Sequence, residues 1–178
     1  LRLVFAMERH VARSASLSGS VRVDTPSLAR KDGSRLAAAQ GIDVAVTKVE
    51  WPQQTVTLDR VVVERPQVDV RRGGDGAFEF AAWPSESTKT PARAWTFSVA
   101  DVRIVDGTAH VADASVSPPF DVMLSRIGVE GRRIASAGGP GSIDVHFDAD
   151  DGAHVDLQGD VDLSAQSARG HVACTGLH

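Results

Sequence analysis

The chain has no tyrosine, no asparagine and a single cysteine, Cys174. One thiol cannot form an intrachain disulfide, a thiolate zinc site or a redox pair, so cysteine chemistry is excluded as an organising force. Aromatic residues are scarce, at 5%. Positive charge is not in excess: 19 basic residues stand against 23 acidic ones, a net charge of -4, and nucleic acid is therefore not expected as a partner. No run approaches the roughly 18 consecutive apolar residues of a membrane helix, and no basic-then-apolar segment resembles a signal peptide. Any targeting or anchoring segment is expected upstream of Leu1. Familiar catalytic motifs are also missing. There is no Gly-x-Ser-x-Gly elbow, no His-Glu-x-x-His, no Walker loop and no dinucleotide fingerprint, and no enzymatic activity, cofactor or metal is expected.

What is present is enough for a folded body. At 178 residues, 42% hydrophobic and 24% charged, the chain falls in the range of one domain, or two small ones, with a core. Nearly every apolar stretch alternates with period two, as in Ile42/Val44/Val46 and Ile143/Val145/Phe147, and valine is the usual filler, so the expected fold is all-β. One short helix is expected over Ser34–Gln40, ended by Gly41. The runs Leu1–Phe5 and Gly170–Cys174 both read as strand. This suggests a single β-rich fragment, 1–178, of a larger repeat protein. Mobile loops are expected at about 84–93, between Pro84 and Pro91, and at about 132–142, around Gly138-Gly139-Pro140.

The alternation breaks four times in one way: two apolar residues two apart, a step of three, then two more. It does so at Val44/Val46/Val49/Trp51, Val56/Leu58/Val61/Val63, Phe97/Val99/Val102/Ile104 and Val122/Leu124/Ile127/Val129. A three-residue step keeps one face apolar if an extra residue is bulged out, which sharpens twist; a turn between two short strands is the alternative. Two copies extend into a longer repeat, Leu58–Val70 against Val99–Val111, 41 residues apart. With Asp106-Gly107 as a two-residue turn, Ile104 is expected opposite Ala109, Val102 opposite Val111 and Arg103 opposite His110. Arg65-Pro66 occupies the same place in the first copy, with Val63/Val68 and Val61/Val70 pairing. A second hairpin is expected over Ile143–Leu157, with Asp150-Asp151-Gly152 as its loop. That register sets Phe147 opposite Val155, Val145 opposite Leu157, Asp148 by His154 and His146 by Asp156. Leu17–Val23 also echoes Leu157–Leu163, 140 residues on, as a unit of a larger repeat would.

Several clusters invite chemistry. The acidic set Asp144, Asp148, Asp150, Asp151, Asp156, Asp160 and Asp162 lacks the continuation of an EF-hand loop and reads as a solvated face, with a weak metal site or a glycosidase pair as alternatives. His146 and His154 read as cross-strand polar pairs, with a His/Asp metal site as the alternative. Gly73–Gly76 and Gly138–Gly141 read as turns, since Phe78 and Ile143 stand where a calcium-binding nonapeptide repeat needs Asp. Trp51, Trp83 and Trp95 read as core edges, with ligand stacking as the alternative. An apolar sheet face must be covered by a second sheet or by something other than protein. Bulged, Val- and Ala-lined strands suit a trough for acyl chains; an ordinary sandwich core is the alternative.

Three runs then carry a family likeness. Gly33–Val46, Val56–Arg72 with its Arg65-Pro66 step, and Asp75-Gly76-Ala77-Phe78-Glu79-Phe80 resemble the AsmA-like proteins of Gram-negative envelopes. Those proteins carry a strand, an "rP-v-v-r" hairpin and a "dG-fnl" turn. Trp95–Val99, Asp106–Asp113 and Pro118–Val122 resemble the branch of that group known as a domain of unknown function, with its "dG-v-f-D … pPf-l-l". Glu79 stands where the family often has Asn. The resemblance covers about residues 15–165. It implies a periplasmic β-rich repeat protein, tethered to the inner membrane by an N-terminal helix and forming a long groove. It also implies a role in phospholipid movement between the two membranes and in outer-membrane integrity; related TamB proteins were first linked to outer-membrane protein assembly. It implies no catalytic residues.

The expected partners are thus phospholipid acyl chains and flanking repeats of the same chain. The candidate groove face is Val56, Leu58, Val61, Val63, Val68, Val70, Phe97, Val99, Val102, Ile104 and Val111. The alternative is an envelope scaffold module that binds other β proteins by strand addition, without lipid.

Overall fold

The computed structural model describes residues 2–8, 11–30, 32–79, 95–150 and 152–176. The fold is all-β. Twelve strands form one mixed sheet: β1 (Arg2–Glu8), β2 (Val11–Asp24), β3 (Ser27–Ala29), β4 (Arg35–Ala38), β5 (Gly41–Trp51), β6 (Thr55–Glu64), β7 (Gln67–Arg72), β8 (Thr96–Asp113), β9 (Phe120–Ala135), β10 (Gly141–Ala149), β11 (His154–Asp162) and β12 (Ser167–Thr175). The main path runs β1-β2-β5-β6-β8-β9-β10-β11-β12, and β3, β4 and β7 form a shorter tier that joins β8. Pairing is antiparallel except along one edge of β8, where β6 and then β7 run parallel to it.

The 41-residue repeat has a direct physical counterpart. Leu58, Val61, Val63, Val68 and Val70 sit beside Val99, Val102, Ile104, Ala109 and Val111, each pair 41 positions apart. The two copies are neighbouring strands in parallel register, so equal spacing of apolar residues puts like beside like.

The expected hairpins within each copy are not formed. β8 runs through Asp106-Gly107 without reversing, so Ile104 does not face Ala109, Val102 does not face Val111, and Arg103 does not face His110. A type I′ turn needs two consecutive residues with positive φ, but only Asp106 has it (φ 56°); Gly107 does not. Arg65-Pro66 behaves alike: Arg65 has φ 45°, and the chain continues from β6 into β7. Val63/Val68 and Val61/Val70 therefore do not pair. The second hairpin has the expected register, with Phe147 opposite Val155, Val145 opposite Leu157, Asp148 opposite His154 and His146 opposite Asp156.

All four three-residue steps coincide with ladder irregularities. Thr47 and Asp59 are passed over between β5 and β6, Ala100 between β8 and both its neighbours, and Arg126, at φ 50°, marks the step in β9. Aligned across neighbouring strands, these form seams. One passes through Thr47, Asp59, Ala100 and Arg133 (φ 56°); the other passes through Thr25 (φ 48°), Arg65, Asp106 and Arg126. Each bulge adds local twist, and in line they bend the whole sheet.

Other expectations are corrected. Ser34–Gln40 is not helical: Arg35–Ala38 is strand β4, paired with β3 and β7. Alanine-rich sequence favours a helix in isolation, but here ladder partners on both sides override that preference. The loop expected at 132–142 is shorter, because Arg132–Ala135 belong to β9 and Gly141 opens β10. The loop expected at 84–93, Trp83 and Phe80 lie outside the described residues. The 140-residue echo joins β2 and β11, which run in opposite directions at opposite ends of the sheet; a translational repeat would run the same way.

Candidate functional site

Cross-strand register stacks the apolar positions into rows. One row runs Val21, Val44, Val61, Val102, Gly131, Ile143, Gly159, Gly170 across eight strands. The next runs Val23, Ile42, Val63, Ile104, Val129, Val145, Leu157, Val172. Further rows are Leu17-Val49-Val56-Phe97, Gly19-Val46-Leu58-Val99-Ile134 and Leu28-Ala37-Val68-Ala109-Leu124. All eleven candidate residues thus lie on one continuous face, with Val70 beside Val111 and Val122. Sequence reading missed how far this face extends. Ile42, Val129, Val145, Leu157 and Val172 belong to it too, and their period-two spacing was the available signal.

Nothing among the described residues covers this face. Element contacts are confined to sheet neighbours, apart from β9 with β11, which flank β10. Only Val99 (8% exposed) and Ala153 (3%) are buried hydrophobic residues among those described. The chain exposes 12364 Å², where a compact globule of its mass exposes about 8,300 Å². Trp51 and Trp95, expected at core edges, are 44% and 49% exposed. They flank one turn, held by the Thr96 N–H donating to the Gln54 carbonyl at 2.9 Å. Where the second seam crosses the apolar face, Pro26, Leu28, Ala37, Ile42, Val63 and Val68 line a shallow hollow of about 280 Å³.

The opposite face is charged. Arg22, Asp43, Val62, Arg103, Glu130, Asp144, Gln158 and His171 form one of its rows. Arg22 pairs with Asp24 (2.8 Å), Glu64 (2.9 Å) and Asp43. The hydrogen bonds to Glu64 and Asp24 raise its pKa above the ordinary arginine value. Arg30, 9% exposed, grips both carboxylate oxygens of Glu79 at 2.5 and 2.8 Å and donates to the carbonyls of Arg35 and Asp69 at 2.7 and 3.0 Å. It thereby ties the 76–79 segment to β4 and β7. The Asp69 carboxyl is held below its usual range, first by its hydrogen bond from Arg71.

Of the acidic set expected as a solvated face, Asp148 is instead buried, at 9% exposure, and makes a cross-strand pair. Asp148 hydrogen-bonds His154 Nδ1 at 2.6 Å and pairs with Arg126, and His154 Nε2 lies 3.3 Å from Asp156. The His146 ring instead lies over Gly128, where an added Cβ would fall 2.2 Å from it. No group of three or more His, Cys, Asp or Glu side chains among the described residues is placed to hold a metal ion. Gly73–Gly76 is a turn, closed by the Gly76 N–H on the Gly73 carbonyl at 2.9 Å, with Arg72 over the Phe78 ring at 5.2 Å. No helix among the described residues is long and apolar enough to cross a membrane.

No family model matches the chain, and neither does any curated protein or solved structure.

Proposed function

We propose that this chain is a non-catalytic segment of a lipid-binding groove, its apolar face serving phospholipid acyl chains. The supporting observation is the unbroken run of apolar rows across eight strands, uncovered by protein among the described residues. Open apolar area on this scale is what a lipid or another macromolecule covers. The likeness to AsmA-like envelope proteins agrees with this reading. On that likeness we place the protein in the periplasm, tethered through a segment outside this chain, in phospholipid movement between the inner and outer membranes.

The test is native mass spectrometry with lipid extraction on the chain purified from a Gram-negative periplasm. Phospholipid is expected to co-purify and to be lost in Val102→Asp, while far-UV circular dichroism shows the variant folded. A folded Val102→Asp variant that keeps its lipid, or a lipid-free parent, would sink the idea.

A second reading rests on β12. All nine of its residues are exposed, and among the described residues it is paired only with β11. Such an edge can add a strand from another β protein. Capture of a β partner by a lipid-free chain, blocked by Val172→Pro, would favour this reading.

A further inference from the structure

On the charged face, directly behind the apolar hollow, lies a second one of about 410 Å³. Its polar lining is Arg35, Arg65, Gln40, Gln67, Thr25 and Ser27, with no carboxylate among the lining residues. That composition is unusual in a chain where acids outnumber bases.

All but one of the polar lining side chains are also uncommitted among the described residues. Among the described residues, Arg35 lends only its carbonyl, to Arg30, and Gln40 and Thr25 bond through their backbones. Gln67, Ser27 and the Arg35 guanidinium have no side-chain partner among those residues. Arg65 reaches Asp106 at 3.3 Å, with both side chains more than half exposed, a pairing worth little in water. Backbone geometry gathers these groups. Thr25 and Arg65 both have positive φ, which is costly for a β-branched residue such as Thr25. The seam they form brings the ends of β2, β4 and β6 together.

We infer that this hollow binds a phosphoryl group. Two guanidinium forks, two amides and two hydroxyls line it, a donor set rich enough for the several oxygens of a tetrahedral oxyanion. The phosphoryl group belongs either to a soluble phosphate ester or to a phospholipid headgroup. The hollow shares Pro26, Ser27, Ala38 and Ala39 with the apolar hollow on the other face. The inference does not depend on lipid occupying the groove.

The test is calorimetric titration of the full chain with glycerol 3-phosphate and, separately, with a six-carbon-chain phosphatidylglycerol below its micelle threshold. Arg35→Gln and Arg65→Gln are each expected to weaken binding at least tenfold. Arg35→Lys should cost less, and Arg169→Gln, elsewhere on the charged face, should change nothing. Both arginines are exposed, so these variants are expected to fold, which circular dichroism checks. If the short-chain lipid binds at least tenfold more tightly than glycerol 3-phosphate, and Val63→Asp removes that advantage, the source is a lipid headgroup. Equal binding of the two probes assigns a soluble phosphate ester. Saturation by neither probe in the millimolar range, or binding unchanged in both Gln variants, overturns the inference. Loss of lipid from the groove in Val102→Asp leaves glycerol 3-phosphate binding intact, so the two proposals fail separately.

Discussion

Val61 and Val102 lie side by side in parallel register on strands β6 and β8, 41 residues apart in the chain. The repeated pattern is therefore a pairing pattern: the chain writes the same apolar spacing twice because the two stretches are neighbours.

This register can be trapped chemically. In a Cys174→Ser background, Val61→Cys with Val102→Cys is expected to form a disulfide under mild oxidation, since neighbouring strands stand about 4.8 Å apart. Val102→Cys with Val111→Cys, the pair that a hairpin at Asp106-Gly107 would create, is expected not to. Mobility on non-reducing gels separates the two, and the reverse outcome would restore the hairpin.

The facing glycines Gly159 and Gly170 give a sharper structural test. A Cβ at Gly159 would stand 2.2 Å from the Arg169 carbonyl oxygen, and one at Gly170 would stand 2.3 Å from that of Gln158. Both obstacles are backbone and cannot swing away. Gly159→Ala is expected to push β12 off β11 at a cost of about 3 kcal/mol, the upper end of ordinary overpacking. Hydrogen exchange should show β12 amides deprotected while β8 and β9 keep their protection.

Arg30 makes a different prediction. Arg30→Met keeps much of the stem but removes the guanidinium that joins Glu79, Asp69 and the Arg35 carbonyl. Amides of β3, β4 and residues 76–79 are expected to exchange at least tenfold faster, with little change in β9–β11. Uniform loss of protection would instead make Arg30 a global support.

Acid should destabilise the chain over a narrow range. Asp32, Asp113 and Asp162 accept hydrogen bonds from Ser34, Ser115 and Ser164, and Asp69 accepts one from Arg71; all four titrate below the ordinary value of 3.8. A carboxylate with a depressed folded pKa contributes stability above its unfolded value and loses it as pH falls through the folded one. The urea midpoint is thus expected to stay level from neutrality to about pH 5 and to drop below about pH 4. Asp162→Ala should lower the plateau and shrink the drop. A midpoint that already falls between pH 7 and 5 would contradict this.

The uncovered face predicts an unusual unfolding curve. Because about 15,000 Å² leaves water on folding, against about 19,000 Å² for a compact globule of this mass, the urea m-value is expected about a fifth below that of a compact protein of equal length. The native chain should also bind an apolar dye such as ANS at neutral pH, and Val63→Asp should reduce that binding. A steep transition with no dye binding would mean that the face is covered.

Much of the fold was legible because strands declare themselves through periodicity. Three of the four three-residue steps fall on register shifts and the fourth, at Ala100, on a pair skipped by both strands, and matching Phe147 with Val155 fixed the last hairpin. Chain direction was not legible. Asp106-Gly107 has the composition of a tight turn, and whether Gly107 takes a positive φ is decided by β6, β7 and β9 packed along β8. The stretch Leu36-Ala37-Ala38-Ala39 misled for a related reason: leucine and alanine favour a helix locally, whereas β3 and β7 supply strand partners from afar. The residues of the apolar face were found because an apolar row follows from alternation. The Arg35/Arg65 hollow was missed because its lining comes from three separate chain crossings brought together only by the seam.

In most proteins a curved surface keeps its form because a packed interior resists collapse. Here the bends are written into the main chain at Thr25, Arg65, Asp106 and Arg126 and locked by ladder hydrogen bonds on either side. The curvature therefore belongs to the main chain itself and does not wait on anything packed against the apolar face.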